Sequence, residues 1–247
     1  MRSRVLVLTC LAALACGGRP TGPTSPTQPA ETLELRRQTG HFRILAGQAP
    51  DAAVAAAAEG LEAHYVRVLS DLGVSDVAMV TVKIWQDAAT YFSTLEGYFG
   101  ERYQATGYIT GRDEIRVLAV PQLPVNVVHE FCHVVSLYVN PSIANNPRWY
   151  WEAVALYENG ELVHPRTLDY MVRGAYPTLQ QLNAGPNASR QVYEVGYLLG
   201  EFIVSRWGRP AFVRLIQTNA DLAAALGLSA PAFEEAWYVW VRERYLR

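Results

Sequence analysis

The stretch that most limits what this chain can fold into is a long apolar run near the middle of the sequence. Residues 125–139 are apolar almost throughout, and an Asn-Pro pair ends the run. Pro124 suits the first turn of a helix, and a helix that is apolar on every face is buried. This helix also carries His129, Glu130 and His133. The fold must therefore accommodate two imidazoles and a carboxylate within a core.

The three polar residues have the spacing H-E-x-x-H. His129 and His133 lie one helical turn apart on the same face, so both rings can reach one ion. A buried polar group without a partner costs about 1–3 kcal/mol, and a metal ion with a bound water would satisfy all three groups. The alternative is a pair of core histidines with protein partners and a salt-bridged Glu130.

A further acidic residue follows on a second apolar and aromatic segment. Eighteen residues separate Glu152 from His133, and Glu152 lies within a predicted helix at 147–159. A catalytic zinc ion takes three protein ligands and keeps one position for water. We therefore expect one Zn²⁺ per chain, with His129, His133 and Glu152 as its ligands.

The segment around this acidic residue carries a family resemblance. Two histidines in H-E-x-x-H followed by Glu152 resemble the gluzincin metallopeptidases, and the pattern W-x-x-E-G-x-A-x-Y is found in their lipoprotein and aminopeptidase-like members. Trp149, Ala155 and Tyr157 match that pattern, whereas Ala153 stands where the family usually has Gly. The resemblance implies a thermolysin-like α+β catalytic domain that hydrolyses peptide bonds with a metal-activated water.

Two further roles follow from the resemblance. Glu130 would act as the general base that takes the proton of the water and passes it to the leaving amine. The segment that begins at Tyr193 is similar to the Y-x-K-G segment of gluzincin aminopeptidases, whose Tyr stabilises the oxyanion. The resemblance implies the same role for Tyr193. Val195 replaces the family's Lys, and Tyr197, one turn further on, is the other candidate.

The remainder of the folded body changes from strand signals to helix signals at Pro121. Strands first and helices after indicate an α+β domain, with a small mixed sheet followed by a mostly helical half. By analogy with similar enzymes, the strand at 114–118 could lie at the sheet edge and bind a substrate backbone by strand addition. The predicted strands are 42–45, 80–85, 107–110 and 114–118, and the predicted helices are 51–72, about 91–95, 125–139, 147–159, 189–207 and one that begins at Ser229.

The N-terminus has the pattern of a signal peptide. Two arginines precede an uncharged run at 5–15, which is shorter than the 20 or so apolar residues that span a bilayer. Residues 1–15 are therefore predicted to be a signal peptide that is cleaved off. The run ends before Cys16 in a sequence that resembles the lipobox of bacterial lipoproteins, which implies acylation of Cys16 and attachment at the cell envelope, outside the cytoplasm. Secretion without a lipid is the alternative.

The next segment is typical of a spacer. Prolines recur at every third position from 20 to 29 among small polar residues, with almost nothing apolar to bury. This gives three predicted parts: the signal at 1–15, a lipidated tether at 16–32 and a metallopeptidase domain at 33–247.

Charge and cysteine content narrow the possible partners. The chain of 247 residues has 21 Lys and Arg against 23 Asp and Glu, for a net charge of -2, and the basic residues are scattered. The sequence therefore has no basic patch of the kind that binds nucleic acid.

Only one of the cysteines, Cys132, belongs to the folded body, where we expect it to be a small buried apolar residue. The expected partners are a peptide or protein substrate and, through the lipid, a membrane, with the chain as a monomer.

The sequence is also compatible with other functions. A catalytically silent gluzincin-like lipoprotein could serve as a binding or adhesion module, and a metal enzyme could hydrolyse a bond other than a peptide. Glu158 is expected either beside the ligands or in solvent, and His41 and His164 are expected at the surface or as caps.

Overall fold

The computed structural model describes residues 30–185 and 188–247. The predicted signal peptide, Cys16 and most of the tether lie outside the described residues and stay predictions. Within the described part, none of the helices has the length and apolar character needed to cross a membrane.

Five strands form one mixed sheet in the N-terminal part of the described chain. The strands are β1 Glu34–Gln38, β2 Phe42–Ala46, β3 Val80–Trp85, β4 Gly107–Ile109 and β5 Glu114–Leu118. Their order in the sheet is β1-β2-β3-β5-β4. The inner strands β2, β3 and β5 run parallel to one another, and β1 and β4 pair antiparallel at the two edges.

The prediction that residues 114–118 form the sheet edge is wrong. This strand, β5, is flanked by β3 and β4. The reason is that β5 pairs in parallel with β3, so the hairpin can place its other strand, β4, only on the outer side. The exposed edge on this side of the sheet is therefore β4.

Helices make up most of the chain after β5, which confirms the predicted α+β class. The described helices are α1 Asp51–Leu72, α2 Ala88–Phe99, α3 Leu123–Val139, α4 Arg148–Asn159, α5 Asp169–Val172, α6 Leu179–Leu182, α7 Gln191–Gln217, α8 Leu222–Leu226 and α9 Ala230–Val241.

The main core lies between one face of the sheet and the helices. Alternating residues of β3, Val80, Val82 and Ile84, join the core formed with α1 and α3, because successive strand residues point to opposite faces. Trp85 belongs to a smaller cluster on the other face, under α2. Helix α4 packs against α3 and α7, so a residue of α4 can face α3 inside the core.

The prediction that the helix beginning near Ser189 stops at Gly208 is confirmed by the backbone there, but the prediction missed a second helical segment that follows directly. Gly208 does break the helix, with φ 76° and ψ 172°, a backbone conformation that favours glycine. The chain resumes helical geometry immediately and continues to Gln217. Pro210 does not end the second half because it lies in its first turn, where a missing N–H costs nothing.

Candidate metal centre

Helix α3 is buried as predicted, and its polar residues lie inside the protein. His129, Glu130 and His133 are 9%, 7% and 4% exposed. Their neighbours on the helix pack into the main core. Three titratable groups are thus placed where an unpaired charge is expensive.

Helix α4 places Glu152 against both histidines. Its Oε2 atom lies 3.2 Å from Nε2 of His129 and 3.7 Å from Nε2 of His133. One ligand atom from each of the three residues lies within 4.8 Å of the other two. In the part of the chain that the structure describes, no other group of three or more His, Cys, Asp or Glu converges in this way.

Two of these three groups have the protonation state that a metal ligand needs, and the third, His129, can reach it by losing one proton. Burial lowers the pKa of His133 to about 4, so that its ring is neutral at pH 7. Burial would raise the pKa of Glu152, but its contacts with His129 and His133 lower it below its ordinary value. Contact with Glu152 outweighs burial at His129 and raises its pKa. Two ring nitrogens and one carboxylate oxygen are a donor set that zinc accepts, once His129 has released its proton.

The two imidazole rings have different surroundings beyond the ligand atoms. The ring of His133 lies flat against the indole of Trp151, with centroids 4.0 Å apart and planes 3° apart. The Nδ1 atom of His129 faces Glu161, whose Oε2 is 4.0 Å away. Sequence reasoning missed both neighbours, although the position of Trp151 directly before Glu152 could have pointed to one of them.

Glu130 reaches from the ligand helix to the edge strand β4. Burial raises the pKa of its carboxyl to about 8, with the charge of His129 opposing the shift. The carboxylate rests on Gly107, where an added Cβ would lie 2.5 Å from Oε1 of Glu130. Any larger residue at position 107 would displace this carboxylate. Gly107 carries no sign of this contact in the sequence, because only the folded hairpin brings it to α3.

The structure places Tyr193, one of the two tyrosine candidates, beside the ligands. Its hydroxyl donates to Oε1 of Glu152 at 3.4 Å, and burial raises its pKa. The guanidinium of Arg148 covers its ring, with Cζ 5.2 Å from the centroid. The other candidate, Tyr197, packs instead against the ring of Tyr157, with centroids 5.4 Å apart.

The expectation for Glu158 is wrong. It lies neither beside the ligands nor in solvent, because its side chain is fully buried between two arginines. Nη1 of Arg67, from α1, is 2.9 Å from its Oε2. Arg209, which follows the break at Gly208, contacts its other oxygen. The sequence gives no local sign of this pairing, since the partners come from three helices.

The remaining singled-out residues lie away from the cluster. Cys132 is buried in the main core, where burial raises the pKa of its thiol. His41 pairs with Glu62 at 2.7 Å. His164 caps the short 3₁₀ turn that follows it by accepting from the backbone N–H of Arg166. None of them contacts the three ligands.

Comparisons with known proteins give a weak structural likeness. No family model matches the chain, and no curated protein matches it in sequence. Among solved structures, the chain is similar to a mutant M1 zinc metallopeptidase from Deinococcus radiodurans, with 17% identity and a TM-score of 0.46. The match covers 87% of this chain and 51% of that one. This chain therefore spans about half the length of that enzyme.

Proposed function

We propose that the protein is a zinc-dependent peptidase with Glu130 as its general base, tethered at the bacterial cell envelope by a lipid on Cys16. One observation carries the catalytic part of the proposal. His129, His133 and Glu152 converge inside the protein, and a second buried carboxylate, Glu130, lies next to them. A ligand set and a separate base are the parts that metal-assisted hydrolysis requires.

Each protein group has a separate task in this reaction. A zinc ion held by the three ligands would lower the pKa of a bound water to about 7 and polarise the scissile carbonyl. Burial raises the pKa of Glu130 to about 8, and the charge of a bound cation would lower it towards the operating pH. Glu130 would then be suited to accept the proton of the attacking water and return it to the leaving amine, since a general base works best near that pH. The hydroxyl of Tyr193, beside Glu152, is placed to donate to the developing oxyanion.

The substrate backbone would bind at the free edge of β4. Thr110 donates its N–H to the carbonyl of Glu114 across the hairpin, and hydrogen-bonded pairs alternate along an antiparallel ladder. The N–H and C=O groups of Gly107 and Ile109 therefore point away from β5. An extended peptide that pairs with them would run past Glu130. Replacing Ile109 by Pro removes one of these N–H groups, and we expect a higher KM for peptides with the zinc content unchanged.

The test is hydrolysis of a quenched peptide library by the purified protein. We expect activity that is lost with a chelator and restored by Zn²⁺. A Glu130→Gln variant should retain zinc and lose about 10³-fold in kcat/KM, within the range for removing a general base. Glu59→Gln, which alters an exposed carboxylate on α1, is the control and should be neutral. Zinc without hydrolysis of any peptide would contradict the proposal and favour a binding module.

The lipid anchor rests on the sequence of the N-terminus. A Cys16→Ser variant expressed in a bacterium should fail to incorporate labelled fatty acid and should leave the membrane fraction. Unchanged membrane fractionation of this variant would contradict the anchor without affecting the peptidase proposal.

A further inference from the structure

One of the candidate ligands lacks the support that such histidines usually have. A histidine that binds a metal almost always donates its second ring N–H to a carboxylate, a carbonyl or a water, and that bond fixes the ring orientation. The Nδ1 atom of His133 is fully buried and has no hydrogen-bond partner among the described residues. No hydrogen bond from the described residues therefore determines how the ring of His133 is turned on that side.

The other ligand histidine has a carboxylate on the corresponding side. Oε2 of Glu161 lies 4.0 Å from Nδ1 of His129, and Glu161 is itself held by the side-chain amide of Asn159 at 2.7 Å. His129 is thus placed next to a polar group that could orient it. The two rings differ in what lies beside them, although one turn of the same helix separates them.

A flat aromatic contact takes the place of the polar group at His133. The indole of Trp151 lies parallel to the imidazole at a centroid distance of 4.0 Å and an interplanar angle of 3°. Both side chains are buried, with Trp151 5% exposed. Rotation of the imidazole about its bond to Cβ would drive the ring edge into the indole, so this contact restricts the ring to one plane.

The helix places this contact and a ligand together. Trp151 and Glu152 are consecutive on α4, so their side chains leave the helix about 100° apart. Glu152 approaches Nε2 of His133 at 3.7 Å, while Trp151 covers the ring face. The same turn of α4 therefore supplies one ligand and limits the movement of another.

We propose that Trp151 is a positioning residue that holds His133 in its metal-binding orientation by stacking, in place of the usual hydrogen bond. This rests on the proposed metal site. It predicts that the loss of the flat ring weakens metal binding, even when the buried volume at position 151 is largely kept.

The experiment compares metal affinity in four forms of the purified full chain. Zn²⁺ affinity is measured by competition with a chelator, and the geometry of the site by the visible absorption of bound Co²⁺. The forms are the wild type, Trp151→Phe, Trp151→Met and the control Trp149→Met. Met keeps much of the bulk without a flat face, whereas Phe keeps a smaller flat face. Trp149 is buried on the same helix but packs against Tyr150 and Phe233.

The expected result separates stacking from helix packing. Trp151→Met should weaken Zn²⁺ binding by about 10-fold or more, the range for groups that orient a ligand, and should alter the Co²⁺ spectrum. Trp151→Phe should stay close to the wild type in both measurements, and so should Trp149→Met. Folding of each variant is checked first by circular dichroism, and Trp151→Leu replaces the Met variant if that variant does not fold.

Three results would overturn the positioning role. These are unchanged affinity in Trp151→Met, an equal loss in Trp149→Met, and a loss in Trp151→Phe as large as in Trp151→Met. A wild-type protein that binds neither Zn²⁺ nor Co²⁺ is a different outcome, because it would remove the metal site and with it the proposed function.

Discussion

Helix α4 buries two carboxylates, and the protein surrounds them differently. Glu158, near the C-terminal end, is enclosed by the guanidinium groups of Arg67 and Arg209. Glu152, six residues earlier, contacts His129, His133 and the hydroxyl of Tyr193. Among the described residues, no arginine or lysine pairs with Glu152.

The comparison shows under which conditions a buried carboxylate indicates a functional site. A buried charge requires compensation. At Glu158 the chain supplies that compensation itself, so the cluster has no need of a further ion. At Glu152 the partners are imidazoles. His133 is neutral, and the contact that raises the pKa of His129 provides only a proton, which a metal ion can replace. A divalent cation can therefore take over the compensation at Glu152, whereas the arginines at Glu158 stay charged, so that Glu152 and not Glu158 indicates a ligand site.

The largest effect on stability should come from a substitution of Glu158, which lies between arginines. Glu158→Gln removes one of the two carboxylates that Arg67 and Arg209 share, and Asp71 remains as their partner. We expect a loss of about 2 kcal/mol in the free energy of unfolding, less than for breaking an isolated buried pair, because both arginines are partly exposed and keep Asp71. Urea denaturation of the metal-free protein measures it. Glu152→Gln, the matched control, should lose less, and a larger loss there would break the comparison.

Tyr193 lies at the Glu152 end of α4, and its substitution should affect activity rather than folding. Tyr193→Phe removes the hydroxyl beside Glu152, and we expect kcat to fall by about 10²-fold, as for loss of one oxyanion donor. The unfolding midpoint should change little. Steady-state kinetics on a cleaved peptide provide the measurement, with Tyr197→Phe as control. An equal fall in the Tyr197 variant would refute the assignment of this role to Tyr193.

A substitution in the edge strand β4 should lower the reaction rate because it displaces Glu130. The Cβ of Gly107→Ala would lie 2.5 Å from the Glu130 carboxylate and must displace it, so we expect kcat to drop by about 10-fold, since small misplacements of reacting groups are costly. Zinc content should not change. Gly97→Ala, where the new Cβ meets nothing within 4 Å, is the control. Full activity of Gly107→Ala would exclude Glu130 as the base in this position.

A more exposed ion cluster should give the smallest effect. Burial would raise the pKa of Glu114, but its contacts with Lys83 and Arg116 lower it. The carboxylate therefore stabilises the fold above its unfolded pKa of 4.5, and this contribution is lost as the pH falls through the lower folded value. Glu114→Gln should cost about 0.5 kcal/mol at neutral pH. The denaturation curves of the wild type and of Glu114→Gln should differ at neutral pH and converge at acid pH. A difference that became larger in acid would contradict the predicted sign.

The sequence predicted the features that local patterns determine. The bounds of α1 and β3 agree with the prediction to the residue, because periodicity and end signals are properties of neighbouring residues. The H-E-x-x-H spacing likewise predicted the common face of His129 and His133, which depends only on the helix that carries them.

The features that were missed depend on contacts between distant segments. Arg67 and Glu158 are 91 residues apart, and no local pattern connects them. The edge position of β4 depends on how β5 pairs with β3, and the approach of Gly107 to Glu130 depends on that edge. The helix that resumes after Gly208 is held by packing of its second half, where Phe212, Leu215 and Ile216 are buried. Gly208 ends one helix as its pattern indicates, but that pattern does not show that such contacts stabilise another helix directly after it.

The central claim is that the end of α4 whose carboxylate faces imidazoles binds zinc, and that the end whose carboxylate faces arginines does not. The most direct test is the zinc content of purified wild type, Glu152→Gln and Glu158→Gln after equal exposure to Zn²⁺ and desalting. We predict about one ion per chain in the wild type and in Glu158→Gln, and almost none in Glu152→Gln. Equal zinc in Glu152→Gln, or zinc lost from a folded Glu158→Gln, would contradict the account.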